Sequence, residues 1–162
     1  MTLAKQLSTF FLDGLLFGVD VNLVQEVLRY QEMTPVPLAP STVSGLINLR
    51  GQVVTALDLR RQLDLPERAV PALPTNVIIR DGDEVVSFLV DKINDVVDVD
   101  EASFEPCPDT LLGVKRDLIC GVYKLEDRLL LVLNAKQIMT FTTDPATLGS
   151  ANAERGQPSI PG

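Results

Sequence analysis

Side chains able to do covalent or acid–base chemistry are few in this sequence, and their spacing does not favour catalysis. There is no histidine, which removes the commonest general acid–base group and every Ser-His-Asp or Cys-His arrangement. Cys107 and Cys120 have twelve residues between them. Without a third cysteine or a histidine they cannot build a four-ligand zinc site, and they are read as half-buried thiols acting as small hydrophobes. Neither G-x-x-x-x-G-K-[ST] nor G-x-G-x-x-G occurs, so no phosphate-cradling loop is expected. The acidic runs Asp81-Gly82-Asp83-Glu84 and Asp98-Val99-Asp100-Glu101 fall at a turn and a strand end. Neither has the ligand spacing of a calcium loop, and both read as solvated surface. The expectation is a protein with no enzymatic activity, no metal and no cofactor.

What the sequence offers instead is a cation on a turn. Arg50-Gly51 separates two apolar, β-branched-rich runs within Val43–Arg60. A glycine in second place suits a tight hairpin and accounts for Gly51. Asn48 lies two residues back on the same strand face as Arg50. Arg50, Arg60 and Arg61 fall within twelve residues of a chain whose net charge is −8, and they read as a cluster of uncompensated positive charge. Arg50 either orders its own turn, through a nearby carbonyl or Glu26, or pairs with a partner's carboxylate.

The elements that position this turn follow from the pattern. Leu7–Leu12 and Leu15–Val19 flank Asp13-Gly14, a strong hairpin signal. From Asn22 the period changes: Leu23, Val24, Val27 and Leu28 recur at helical spacing, with Gln25, Glu26 and Arg29 opposite, and Asn22 with Gln25 has the form of a capping box. A helix of two to three turns is predicted there, stopped by Pro35, Pro37 and Pro40. A further turn of helix is expected over Leu59–Leu63. A second Asp-Gly hairpin follows at Asp81-Gly82. Another strand covers Val96–Val99, a last strand pair surrounds Glu126-Asp127, and a short helix is expected over Ala135–Phe141.

The two halves echo each other. Met33-Thr34-Pro35-Val36-Pro37 answers Phe104-Glu105-Pro106-Cys107-Pro108 at a shift of 71, and Gly45–Leu57 answers Gly121–Leu133 at a shift of 76. Two copies of this length are too few and too long for a solenoid. They suggest a pair of similar small β-barrels of about five strands each. The turns differ: Arg50-Gly51 in the first copy is Glu126-Asp127 in the second, so the copies are expected to face different partners. Pro66, Pro71 and Pro74 mark residues 66–74 as the linker between halves 7–65 and 75–140. Residues 142–162 read as a disordered tail.

At 162 residues and 46% apolar the chain is large enough for a buried interior, and no run is long enough to span a bilayer. The start carries no basic-then-apolar leader, so a cytoplasmic location is the expectation. The acidic balance argues against nucleic acid and against anionic lipid.

Gly45-Leu46-Ile47-Asn48-Leu49-Arg50-Gly51-Gln52-Val53-Val54, followed by Asp58-Leu59-Arg60, closely resembles the signature segment of the CheW family of bacterial chemotaxis coupling proteins. Val24-Gln25-Glu26-Val27 and Pro35-Val36-Pro37 resemble the approach to it. The resemblance runs from about Leu7 to Thr140, and departs at Thr55-Ala56, where the family has Pro followed by a β-branched residue. It implies a mainly β fold of two SH3-like five-stranded barrels with short helices in a single domain over 7–140. It also implies an adaptor between methyl-accepting chemoreceptors and the histidine kinase CheA, within receptor arrays at the inner face of the membrane. The receptor's helical tip would dock between the barrels on Val24, Glu26, Gly45 and Arg50, with Asn48 beside them, while Gly51 and Asp58 serve the turns. On its own residues Glu26 is equally a solvated side chain, Val24 a core residue, and Gly45 a bulge or a place of close backbone approach. The same module in another chemosensory-type pathway, such as twitching motility, is an alternative. A small-molecule-binding β-barrel is another, from a different class.

Overall fold

A computed structural model describes residues 4–67, 73–109 and 115–143. Ten strands and two short α-helices follow in the order β1 (Ala4–Leu12), β2 (Leu15–Asp20), β3 (Val24–Leu28), β4 (Val43–Leu49), β5 (Gln52–Asp58), α1 (Leu59–Gln62), β6 (Thr75–Asp81), β7 (Glu84–Val90), β8 (Lys92–Asp100), β9 (Ile119–Lys124), β10 (Leu129–Leu133) and α2 (Ala135–Thr143). Most of the linker reading falls on residues 68–72, and the tail beyond Thr143 falls on 144–162, both outside the described residues.

The strands form two five-stranded sheets, ordered β8-β1-β2-β10-β9 and β3-β6-β7-β5-β4. If β1–β5 and β6–β10 are the two copies of the repeat, both sheets have the same order. Each pairs the first hairpin of one copy with the last three strands of the other. The units therefore do not coincide with the sequential halves 7–65 and 75–140. Each copy gives up its leading hairpin, so that neither half holds a complete apolar interior of its own.

The repeat is visible at the level of single residues. In β4–β5 the ladder slips at Ser44, between the pairs Val43↔Leu57 and Gly45↔Ala56. In β9–β10 it slips at Cys120, between Ile119↔Leu133 and Gly121↔Val132, which is the same bulge 76 residues on. Isolated bridges Thr34↔Leu46 and Glu105↔Val122 repeat likewise, each covering part of an otherwise open strand edge.

Each sheet curls around its own apolar cluster. In one, Leu28 of β3 packs with Ile47 and Leu49 of β4, Val54 and Ala56 of β5, Ile78 of β6 and Leu89 of β7. In the other, Leu7, Leu16, Val99, Tyr123, Leu130 and Val132 do the same. Both edge strands of a sheet reach one interior, so each sheet closes as the SH3-like unit expected. A third and larger cluster, including Phe10, Phe17, Leu57, Phe88 and Leu131, joins the two units. A buried polar pair sits inside the unit of β3–β6–β7–β5–β4: the Ser87 hydroxyl donates to Asn76 Oδ1 at 2.7 Å. Asn76 Nδ2 in turn donates to the Arg29 carbonyl at 3.2 Å, which fixes the chain as it leaves β3.

The helix predicted from Asn22 is not formed. Val21–Leu23 make a single 3-10 turn capped by Asp20, whose side chain accepts from Asn22 N–H, and Val24–Leu28 continue as β3, antiparallel to β6. A helix of two to three turns has little stability of its own. As a strand, the same residues place Val24 on the shared core and Leu28 in the interior of one unit. Val27, left 43% exposed, is the residue that disguised the alternation.

Candidate functional site

The β4–β5 turn is a two-residue loop, with Leu49 opposite Gln52 and both Arg50 (φ 52°) and Gly51 (φ 89°) in the left-handed region. This is the type I′ geometry whose twist matches a hairpin's. Asn48 Oδ1 accepts from the Gly51 N–H at 2.9 Å, so Asn48 holds the turn shut from the strand below. Asn48→Ala is expected to cost about 1 kcal/mol of stability through that one hydrogen bond, measurable as a lowered urea midpoint with unchanged slope.

Arg50 ion-pairs with Glu26. The two come from opposite edges of one sheet, β3 and the end of β4, so the pair spans the seam where that sheet closes on itself. Glu26 is 23% exposed and Arg50 67% exposed in their side chains. One carboxylate occupies part of a guanidinium with five N–H donors, and the rest faces solvent. A bulge at Gln25, between Val24↔Ile79 and Glu26↔Ile78, re-aims this strand. Gln25 Oε1 accepts from Arg80 Nε at 2.5 Å, which anchors the bulge to β6. Glu26 therefore lies on a strand, not on the polar side of a helix.

Val24, two residues before Glu26, is half-buried against the shared core. Gly45 is buried where the Thr34 segment crosses β4. A Cβ there would come within 2.8 Å of the Thr34 carbonyl oxygen and 3.0 Å of the Met33 side chain. Gly121 sits under Phe104 and Glu105 in the same way, so the glycine belongs to the scaffold of both units. Gly45→Ala is accordingly expected to destabilise by roughly 1–3 kcal/mol through overpacking, and any lost binding should track the fall in melting temperature. The five residues thus divide: Glu26 and Arg50 touch, Asn48 supports their turn, and Val24 and Gly45 set the strands beneath.

Arg60 and Arg61 are not uncompensated charge. Asp58 caps α1, its Oδ1 accepting from Arg60 N–H at 3.0 Å and Arg61 N–H at 3.5 Å. Arg61 lies 3.4 Å from Glu67 and 3.8 Å from Asp58. Arg60 is bound through Nε to Asp91 Oδ1 at 2.9 Å, with Nη2 on the other oxygen. Its Nη1 donates to the Pro66 carbonyl at 2.9 Å. Hydrogen bonding to Asp91 is the main reason the guanidinium holds its proton even more tightly than usual. Asp91 is the single residue between β7 in one sheet and β8 in the other. Nothing in the sequence around Asp91 announces this contact, which depends on a 31-residue separation in the chain.

Among the described residues, no group of three or more acidic or cysteine side chains could hold a metal ion, and no helix is long and apolar enough to cross a membrane.

Comparison with known proteins agrees with the fold. Residues 6–142 match the CheW-like domain family. The chemotaxis protein CheW of Bacillus subtilis (strain 168) is 33% identical over 138 residues, covering 83% of this chain and 86% of that protein. CheW of Treponema pallidum (strain Nichols) is 28% identical over 139 residues, 83% of this chain and 82% of its own. The solved structure of the scaffolding protein TtCheW from Thermoanaerobacter tengcongensis superposes with a TM-score of 0.73 at 26% identity, covering 81% of this chain and 89% of that one. With two closed five-stranded units, a basic first turn and this extent of match, the chain belongs to the CheW-like family of chemotaxis scaffold proteins.

Proposed function

We propose that this protein is a non-enzymatic adaptor that couples methyl-accepting chemoreceptors to the histidine kinase CheA in the cytoplasm, in arrays at the inner face of the membrane. The observation that carries the reading is the Glu26–Arg50 pair across the seam of one unit, with the guanidinium largely in solvent. The family resemblance implies a helical receptor tip, and a helix laid against such a surface needs an apolar floor and a few orienting charges. Arg50 supplies a charge with spare donors, and Glu26 holds it in place. The other unit presents Glu126-Asp127 at the matching turn, so the two ends of the molecule are chemically distinct, as a protein joining two partners requires.

The test is co-sedimentation of the purified protein with a receptor cytoplasmic fragment and, separately, with the regulatory domain of CheA. Binding to each alone, and receptor-dependent kinase stimulation only when all three are mixed, is the expected result. Failure to bind either partner would overturn the assignment.

A further inference from the structure

Each copy of the repeat, described over residues 4–67 and 73–143, lacks what the other holds. Of the eight strand pairings among the described residues, four stay within a copy: β1 with β2, β4 with β5, β6 with β7 and β9 with β10. The other four cross between copies: β1 with β8, β2 with β10, β3 with β6 and β5 with β7. Taken alone, either copy would be two hairpins and one strand, β3 or β8, with nothing to pair with. Isolated hairpins are marginal in water, and unpaired strand edges invite association.

The interiors are shared in the same way. In one cluster Leu7 and Leu16 of the first copy meet Leu130 and Val132 of the second. In another, Ile47 and Val54 of the first meet Ile78 and Leu89 of the second. Polar contacts cross as well. Asp91 N–H donates to the Phe11 carbonyl at 3.1 Å, and Lys115 N–H to the Leu63 carbonyl at 2.9 Å. The Thr9 hydroxyl donates to the Asp95 carbonyl and accepts from Asn94 Nδ2. An apolar junction with satisfied backbone groups, resembling a domain core cut in half, is the anatomy of an obligate subunit interface.

The chain is anchored on both sides of the connection between copies. Before it, Leu65 is buried and the Pro66 carbonyl accepts from Arg60 Nη1 at 2.9 Å. After it, Pro74 is buried and Thr75, opposite Val90, opens the β6–β7 ladder. A break between residues 67 and 73 removes none of these contacts, and tolerance to a break follows the burial and hydrogen bonding of the flanking backbone.

We propose that the two copies are obligate partners in the manner of two subunits: the surface of residues 4–67 is a complete binding site for residues 73–143, it holds without the peptide connection, and neither copy folds without the other. Nothing in the proposal depends on the adaptor reading, since it is tested without receptor or kinase.

The experiment places a recognition sequence for a site-specific protease in the connection of the full chain, after Ala69 in one variant and after Pro71 in another. Either variant that melts like the parent before cleavage decides. After complete cleavage the two pieces should elute together at the size of the uncut chain and melt in one step. Unfolding is then coupled to dissociation, so tenfold dilution should lower the melting temperature of the cut protein by roughly 3–6 °C and leave that of the uncut protein unchanged. Cut protein mixed with its nitrogen-15-labelled counterpart, unfolded in urea and diluted, should give native mass spectra in which about half of the complexes are hybrids, as random re-pairing of two partners requires. Separate elution of the pieces, melting in two steps, a melting temperature of the cut protein that ignores dilution, or no hybrids after refolding would overturn the proposal.

Discussion

Arg50→Glu should abolish receptor binding while leaving the protein folded. Reversing a charge that meets a partner's carboxylate removes an attraction and adds a repulsion, and losing one partner of an interfacial charge pair costs roughly 2–5 kcal/mol. At about 1.4 kcal/mol per tenfold, affinity for a receptor fragment should fall by about a hundredfold or more. The cost to stability should be small by comparison. Arg50 is two-thirds exposed, and exposed ion pairs contribute about 0–1 kcal/mol. The backbone at Arg50 is already left-handed, and glutamate carries the same Cβ as arginine, so the turn is no more strained than before. A drop of a few degrees in melting temperature, with CheA binding intact, is the expected outcome.

The reciprocal variant Glu26→Arg/Arg50→Glu separates the two roles open to this residue. It restores attraction across the seam but presents the opposite charge to a partner. If Arg50 acts only within the molecule, the double variant regains receptor binding; if it acts on the receptor, binding stays lost although stability recovers. Isothermal titration beside a thermal melt reads both quantities. Recovery of binding would sink the receptor assignment, as would an Arg50→Glu protein that is unfolded or binds normally.

Much of this was legible in the sequence because it is local. Asp13-Gly14 and Arg50-Gly51 each specify their own hairpin through left-handed residues, and both form as expected. At Asp81-Gly82 the register moves by one, with Asp81 opposite Glu84 and Gly82 opening the loop. The hairpin was readable although its central dipeptide was not. The repeat at shifts of 71 and 76 was likewise visible, down to Gly45 and Gly121.

What did not show was anything decided between distant segments. Val24–Leu28 is a strand because β6 and two separate apolar clusters claim it, not because of its own propensity. Exchange of the leading hairpins between the two units leaves no trace in composition, since both copies offer equivalent surfaces. For the candidate site, sequence supplied the residue types and the turn. It did not supply the meeting of Glu26 with Arg50 across the seam, which follows only once the sheet closes.

Arg60→Ala should be the most destabilising of the single charge removals. Its side chain is 12% exposed and that of Asp91 20%, so the pair is screened far less than Arg50–Glu26. Arg60 also lies 3.8 Å from Asp13, and Asp13 N–H donates to Asp91 Oδ2 at 2.8 Å. Through these contacts one guanidinium ties α1 to the β1–β2 turn and to the residue where the chain passes from one sheet into the other. Removing it leaves two carboxylates close together and takes a donor from the Pro66 carbonyl. Truncating one partner of a largely buried pair costs about 3–5 kcal/mol; with the residual exposure here the lower end, about 3 kcal/mol, applies.

For a chain of this size that corresponds to a melting temperature lower by roughly 6–12 °C. Arg60→Lys should recover only part of it, because an ammonium cannot make the two-pronged contact with Asp91. The loss should persist at high salt, unlike any contribution from Arg50–Glu26. A double-mutant cycle with Asp91→Ala isolates the coupling. A coupling below about 0.5 kcal/mol, within the usual additivity of independent sites, would mean that the shared apolar cluster alone holds the two units together and that Arg60 merely decorates their junction.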